Sequence, residues 1–124
     1  MPPVSRSSVA KFLEEYKNVA VSSFFLWHTT KNKDTLLKLG LNKHNVRDEI
    51  LNLSVEDYSE GPLLDKYKNN MFWVFGIFIN NQEIFIKLEI TNCTDSGEKK
   101  LTADCLSFHF AEYQMIFPYK KSNN

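Results

Sequence analysis

The sequence predicts an α+β fold: an antiparallel sheet of three to four strands with helices packed on one of its faces. Helical patterns precede strand patterns along the chain, and residues 71–90 form one β-hairpin pattern. The length of 124 residues, with 43% hydrophobic and 14% aromatic content, suits one packed core. We therefore expect a single domain over residues 1–124, with residues 1–6 and 120–124 frayed.

The hairpin is the element that the sequence defines best. Two β-rich runs flank Asn80 and Asn81, and asparagine tolerates the positive φ that a two-residue hairpin turn requires. Pairing Ile79 with Gln82 places large apolar residues on one face, namely Met71, Trp73, Phe75, Ile77, Ile84, Ile86, Leu88 and Ile90. The other face, which we call the open face, carries Phe72, Val74, Gly76, Phe78, Glu83, Phe85, Lys87 and Glu89. We expect the first face to be buried and the open face to be half covered and functional.

Helical spacing of apolar residues indicates three helices before the hairpin. In order, we expect a helix over 8–18 capped by Ser7 or Ser8, a strand over 23–28, a turn over 31–33, a helix over 34–39 capped by Asp34, and a helix over 43–52 capped by Asn42. Gly40 is the natural end of the second helix. The inward residues are predicted to be Leu36, Leu37 and Leu39 in the second helix and Val46, Ile50 and Leu53 in the third.

The remaining segments are predicted from turn residues and alternation. We expect a shaped loop over 53–62, an irregular segment over 63–70, a loop over 91–100, a strand over 102–110 and an apolar tail over 111–119 that packs back on the domain. In the last strand, alternation assigns Leu106, Phe108 and Phe110 to one face and Cys105, Ser107 and His109 to the other.

Composition narrows the function classes. The net charge is zero, which does not indicate a strongly basic nucleic-acid binder, although residues 1–47 hold eight basic and three acidic side chains, a balance of +5. The start lacks a signal peptide and no segment is apolar enough for a membrane span, so we expect a cytoplasmic protein. Cys93 and Cys105 match no zinc spacing and are expected to be free thiols, with a disulfide between them left open.

Strand parity predicts a constellation of polar and aromatic residues. If the last strand pairs with the second hairpin strand, its apolar side must join the hairpin's apolar side. Lys87, His109 and Ser107 then lie together on the open face with Phe85 and Phe72. Glu112, just beyond the strand, is placed to orient the histidine.

That constellation suits cleavage of RNA without a metal or other cofactor, because RNA carries its own nucleophile in the 2′-hydroxyl. The imidazole of His109 can act as acid or base, and the ammonium of Lys87 can stabilise charge on the phosphorane. Aromatic rings can stack unpaired bases. The group that complements His109 is left open among Glu60, Tyr58, Glu112 and Tyr113. His28 and His44 are weaker candidates.

Each of these residues also has a purely structural interpretation. A histidine between phenylalanines is often a satisfied structural side chain, and a strand lysine often protects an edge. The phenylalanines of the open face can pack under a helix.

Three segments of the chain resemble the MqsR family of bacterial toxins. They are Leu53-x-x-x-Asp57-Tyr58-x-x-Gly61-Pro62, then Trp73-x-Phe75-Gly76 with Ile84-Phe-Ile-Lys87-Leu, and Ser107-Phe-His-Phe-Ala-Glu112 with Pro118-Tyr119. Their order and spacing carry the resemblance, which covers roughly residues 8–119. It implies a fold related to the RelE-type messenger-RNA interferases.

The resemblance further implies a sequence-selective, metal-independent endoribonuclease that cuts mRNA and is neutralised by a cognate antitoxin. Lys87 matches the family's sheet lysine, and His109 matches a site position on the last strand where other branches have lysine. Phe85 replaces a family tyrosine and Val74 replaces a polar residue, which removes two hydrogen-bonding groups. The alternatives are a non-catalytic protein-binding module, which would use the open face or a strand edge, and an inactive toxin relative.

Overall fold

The computed structural model describes residues 4–67, 69–95 and 97–121. The elements in chain order are α1 (Arg6–Ala20), β1 (Phe24–Leu26), α2 (Thr30–Leu39), α3 (Lys43–Leu51), a 3-10 turn (Val55–Asp57), β2 (Tyr58–Asp65), β3 (Asn70–Ile79), β4 (Gln82–Asp95) and β5 (Glu98–Phe110). The α+β class is confirmed. The expected fraying falls partly on residues 1–3 and 122–124, which lie outside the described residues.

The predicted hairpin register is confirmed. Ile79 pairs with Gln82, and the ladder continues to the pair of Phe72 and Glu89. Asn80 and Asn81 have φ of 51° and 64°, the values that the turn demands. The apolar face therefore points into the core, where Phe75, Ile84, Ile86 and Leu88 are fully buried.

The sheet has five strands in the order β1-β5-β4-β3-β2. The expectation of three to four antiparallel strands was wrong in two respects. Strand β1 pairs parallel with β5, and β2 forms a further edge strand against β3. The sheet is therefore mixed, while the β2-β3-β4-β5 part is antiparallel.

Segment 58–65 was predicted as a loop and an irregular stretch, and this was wrong. It forms β2, although its register against β3 shifts twice, between Tyr58 and Glu60 and between Glu60 and Leu63. These shifts break the alternation by which strands are recognised in a sequence. Pro62 lacks a backbone donor and is tolerated because β2 is an edge strand.

The predicted loop over 91–100 was also wrong. Strands β4 and β5 continue their ladder through it, with Thr91 opposite Thr102 and Asn92 opposite Leu101. The strands can extend through these polar residues because their backbone groups are paired with each other across the hairpin. Cys93 pairs with Lys100 and Cys105 with Leu88, so the ladder does not place the two cysteines opposite each other. Cys105 is a free thiol.

A β-bulge in β5 corrects the face assignment of its first half. The register shifts between Lys87 and Leu88, so that Lys87 is opposite Ser107 and Leu88 is opposite Cys105. Cys105 is consequently buried in the core, contrary to the predicted alternation, and Asp104 lies opposite Glu89. Beyond the bulge the predicted parity holds, with Phe108 in the core.

The helices differ in detail from the predicted boundaries. Helix α1 starts earlier, because Ser5 rather than Ser7 or Ser8 caps it. Helix α2 begins at Thr30 with Thr29 as its cap, so the predicted turn over 31–33 belongs to the helix. Gly40 (φ 69°) ends α2 and Asn42 caps α3, as predicted. Leu37 is 81% exposed and was wrongly expected to be inward.

The first turns of α2 close the free edge of β5, which β1 covers only in part. The buried amide of Asn32 accepts from the backbone N–H of Phe108 at 2.9 Å and donates to the carbonyl of Leu106 at 3.2 Å. The hydroxyl of Thr35 accepts from the N–H of Phe110 at 3.3 Å. Side chains thus take the place of a neighbouring strand and position the end of β5.

The core is one cluster between the apolar sheet face and residues of α1 and α3, including Val9, Leu13, Val46 and Ile50. Leu36 and Leu39 of α2 pack at its margin. Within the described ranges, every helix is too short or too polar to traverse a lipid bilayer.

Candidate functional site

The open face presents two rows of residues that run across the strands. In the first row, Glu60 is paired with Val74, Val74 with Lys87, and Lys87 with Ser107. Because paired residues share a face, these side chains emerge on the same side of the sheet. The second row holds Gly76, Phe85 and His109.

His109 is held by two contacts. Its ring stacks on that of Phe85, with centroids 5.3 Å apart and planes 13° from parallel. Its Nδ1 lies 3.0 Å from the carbonyl oxygen of Phe110. Because a carbonyl only accepts, Nδ1 carries the hydrogen, which leaves Nε2 as the nitrogen that can take up or release a proton.

Lys87 occupies the diagonal position to His109, since it faces Ser107 across β4 and β5. Diagonal neighbours lie roughly 7–8 Å apart, with their Cβ atoms somewhat closer. The Nζ of Lys87 lies 4.0 Å from the centroid of the Phe72 ring, a cation–π contact that keeps the ammonium over the open face. Lys87 and His109 therefore share the open face in neighbouring rows, although Phe72 draws the ammonium toward the side away from His109.

The tail over 111–121 crosses part of this face. The backbone N–H of Ala111 donates to the carbonyl of Glu83, and the N–H of Met115 donates to the Glu83 carboxylate at 3.1 Å. Farther along, Ser59 donates its hydroxyl hydrogen to the carbonyl of Ile116 at 2.8 Å. The tail is thus fixed at β4 and at β2.

At Gly76 the tail lies close against the sheet. A Cβ at this position would lie 2.8 Å from Cζ of Phe117 and 2.9 Å from Sδ of Met115. Sequence reasoning missed these two residues. The signals were a glycine inside a strand pattern, which often marks close approach of another segment, and the apolar residues at alternate tail positions.

The tail brings Tyr113 to the site. Its ring contacts that of Phe85 edge-on, with centroids 6.2 Å apart. Burial raises the pKa of the Tyr113 hydroxyl, and the neighbouring Glu60 carboxylate raises this pKa further. Glu60 and Tyr113, two of the predicted complementary groups, therefore lie beside each other at the end of the first row.

Glu112 accepts its hydrogen bond from Lys31 rather than from His109. It forms an exposed ion pair with Lys31 of α2, with 2.6 Å between Oε1 and Nζ. The hydrogen bond from Lys31 is the main cause that lowers the pKa of Glu112, and His109 contributes only a weaker Coulombic effect. The expectation that Glu112 orients His109 is replaced by a link between the tail and α2.

Tyr58 lies apart from the open face. It is 1% exposed and packs against Trp73 and Phe75 on the core side. Its hydroxyl donates to the carbonyl of Gly61 at 2.6 Å. Burial is the main cause that raises its pKa. The fold therefore separates Tyr58 from the constellation.

In the described part of the chain, no three His, Cys, Asp or Glu side chains are grouped so as to hold a metal ion. Comparison of the chain with known protein-family models, curated proteins and solved structures gave no match.

Proposed function

We propose that this protein is a metal-independent endoribonuclease that cuts mRNA sequence-selectively and is neutralised by a cognate antitoxin, as the MqsR-like motifs imply. The observation that carries the proposal is the shared face of His109 and Lys87, with His109 stacked on Phe85 and its Nδ1 occupied by a carbonyl. This arrangement supports the proposal because it leaves Nε2 to a substrate on the same face of the sheet that carries the ammonium of Lys87.

The reaction uses the substrate's own nucleophile. The 2′-oxygen attacks the adjacent phosphorus as a base removes its proton, and the 5′-oxygen leaves as an acid protonates it. The products are a 2′,3′-cyclic phosphate and a 5′-hydroxyl. Nε2 of His109 exchanges one of these protons, while Lys87 stabilises the negative charge that develops on the phosphorane oxygens.

We assign the complementary proton transfer to Tyr113, whose ring contacts that of Phe85, or to Glu60, which lies beside Tyr113. Glu60 and Tyr113 lie at the other end of the first row and are exposed. Glu112 is a weaker choice because it is engaged with Lys31. The face also offers Phe72 and Phe85 as surfaces for unpaired bases and Ser107 as a hydrogen-bonding group.

The test is cleavage of a defined mRNA by purified protein in the presence of a metal chelator. We expect wild type to cut, and His109→Ala to lower the rate by about 100- to 10,000-fold, the usual contribution of a general acid or base. Lys87→Met should also lower the rate, with Lys87→Arg retaining more of it. His44→Ala is the matched control, because His44 is exposed at the start of α3.

Products should carry a cyclic phosphate, and induction of the wild-type gene in bacteria should arrest growth and deplete mRNA. Equal cleavage by wild type and His109→Ala at equal solubility would contradict the proposed mechanism. Failure of the wild type to cut any RNA would instead favour the second candidate.

The second candidate is a protein-binding module that uses the edge of β2. Leu63 and Leu64 are 38% and 53% exposed on this strand, and Met71 beside it is 47% exposed. An edge strand with apolar side chains is suited to pairing with an added strand. Leu64→Lys would then abolish partner binding, while His109→Ala would leave it unchanged. An inactive toxin relative would give the same two results.

A further inference from the structure

A cleft of about 830 Å³ opens between β2 and the tail, next to the proposed site. Its walls are mainly apolar and include Pro62, Leu63, Ile116 and Pro118. Its polar side chains include the carboxylate of Glu60 and the hydroxyl of Tyr113. The size and the combination of apolar walls with a few polar groups are typical of a small-molecule site.

The cleft and the first row of the open face share Glu60, whereas Val74, the next residue of that row, is 1% exposed. Glu60 pairs with Val74, and Val74 pairs with Lys87, so two strand spacings, about 10 Å, separate the backbone of Glu60 from that of Lys87. Tyr113 bridges this distance, since it contacts Phe85 and lies beside Glu60. A ligand whose phosphate meets Lys87 would have to pass over Tyr113, which is 56% exposed, to reach the cleft.

The chemistry of the cleft discriminates between the parts of a nucleotide. A carboxylate repels phosphate and only accepts hydrogen bonds. It therefore favours a group that offers N–H donors, and the apolar walls favour a flat ring. Guanine offers two neighbouring N–H donors on its Watson–Crick edge, which a carboxylate can accept together.

We propose that the cleft is a nucleobase subsite of the nuclease, in which Glu60 selects the base next to the cleaved bond by accepting from its N–H groups. This inference rests on the proposed function. It makes Glu60 a specificity residue rather than the complementary acid or base. It also gives the tail a role, because Tyr113, Ile116 and Pro118 form one wall of the subsite.

The binding test uses 5′-GMP, 5′-AMP, 5′-CMP and 5′-UMP as probes, followed through the backbone amide signals of the protein. We expect GMP to shift the signals of residues 59–63 and 113–117 at lower concentration than UMP. A bidentate contact to a base discriminates by about 1–3 kcal/mol, so the preference should be roughly 5- to 150-fold. Shifts outside the cleft, or equal affinity for all four probes, would overturn the inference.

The selectivity test compares wild type with Glu60→Gln on RNAs that differ only in the base beside the cleavage site. Gln keeps the shape of the side chain but replaces one acceptor by a donor, so the ratio of kcat/KM values between RNAs should collapse at least fivefold. Glu14→Gln on the exposed side of α1 is the control. An equal loss on all RNAs would show that Glu60 acts in proton transfer and would overturn the inference.

The two proposals can fail separately. Cleavage that requires His109 but is unaffected by Glu60→Gln, together with no nucleotide-induced shift in the cleft, would contradict the subsite but not the nuclease. Shifts of the amide signals of the cleft on adding a nucleotide, without cleavage of any RNA, would contradict the nuclease.

Discussion

The ring of His109 lies almost parallel to that of Phe85 on the neighbouring strand, at 5.3 Å between centroids. The two residues are directly paired in the β4–β5 ladder. The stack sets the plane of the imidazole, and the contact of Nδ1 with the Phe110 carbonyl sets its rotation within that plane. The neighbouring strand β4 therefore fixes the plane of the imidazole, while the carbonyl of Phe110 on β5 itself determines which nitrogen is available.

Replacing Phe85 tests the importance of this orientation. Phe85→Leu removes the aromatic partner, an interaction worth about 0.5–1.5 kcal/mol. If the protein cleaves RNA as proposed, we expect cleavage to slow by about 2- to 10-fold. Phe85→Tyr keeps the aromatic stack and should therefore retain the wild-type rate. Phe78→Leu is the control, since Phe78 is 56% exposed on the adjacent strand. Equal rates for Phe85→Leu and Phe85→Tyr would contradict the prediction.

Gly76→Ala tests whether the tail depends on close contact with β3. The new methyl group would lie 2.8 Å from a ring carbon of Phe117, and such overpacking costs about 1–3 kcal/mol. We expect the free energy of unfolding, measured with urea, to fall by this amount. In a double variant with Phe117→Leu the losses should be less than additive, because the smaller side chain relieves the contact. An unchanged free energy of unfolding for Gly76→Ala would show that the tail moves away from β3 without loss of stability.

Asn32→Ala tests the closure of the β5 edge. The variant leaves the N–H of Phe108 and the carbonyl of Leu106 without their side-chain partner. Each buried group left unpaired costs about 1–3 kcal/mol, so urea unfolding should show a loss of at least about 2 kcal/mol. Lys33→Ala, at the neighbouring exposed position, should change stability by less than about 0.5 kcal/mol. A similar effect of both variants would argue against the edge role.

Cys105 is predicted to be unreactive in the folded protein. Burial raises the pKa of its thiol far above the usual range, because the thiolate would lose its hydration, and the thiol donates to the carbonyl of Ser107. In a Cys93→Ser background, a charged thiol reagent should label Cys105 only after unfolding. Above the ordinary thiol pKa of about 8.5, the unfolded chain loses this proton while the folded chain keeps it, so stability should fall as pH rises. Rapid labelling under native conditions would contradict this assignment.

The hairpin could be predicted because its signals are local. Asn80 and Asn81 determine the turn, and strict alternation on both sides determines the register. The shared face of Lys87 and His109 follows from the same alternation, provided that β4 and β5 pair through their apolar sides. These inferences need no information about distant parts of the chain, except that a hydrophobic core exists.

The missed features depend on partners that a local pattern does not reveal. Strand β2 was hidden because its register shifts around Gly61 and Pro62 break the alternation. Cys105 was assigned to the wrong face because a single bulge inverts parity in the first half of β5. Asn32 was predicted to lie in a turn, whereas its side-chain amide hydrogen-bonds the backbone at the edge of β5.

The primary structure specified the α+β class, the hairpin and the side of the sheet from which His109 and Lys87 emerge, because side-chain alternation is a property of each strand. The course of the tail over Gly76, the pairing of Glu112 with Lys31 and the meeting of Glu60 with Tyr113 were settled only by folding. These contacts join segments more than 30 residues apart in the chain, and which distant groups meet depends on how the whole sheet twists, bulges and buries its apolar face.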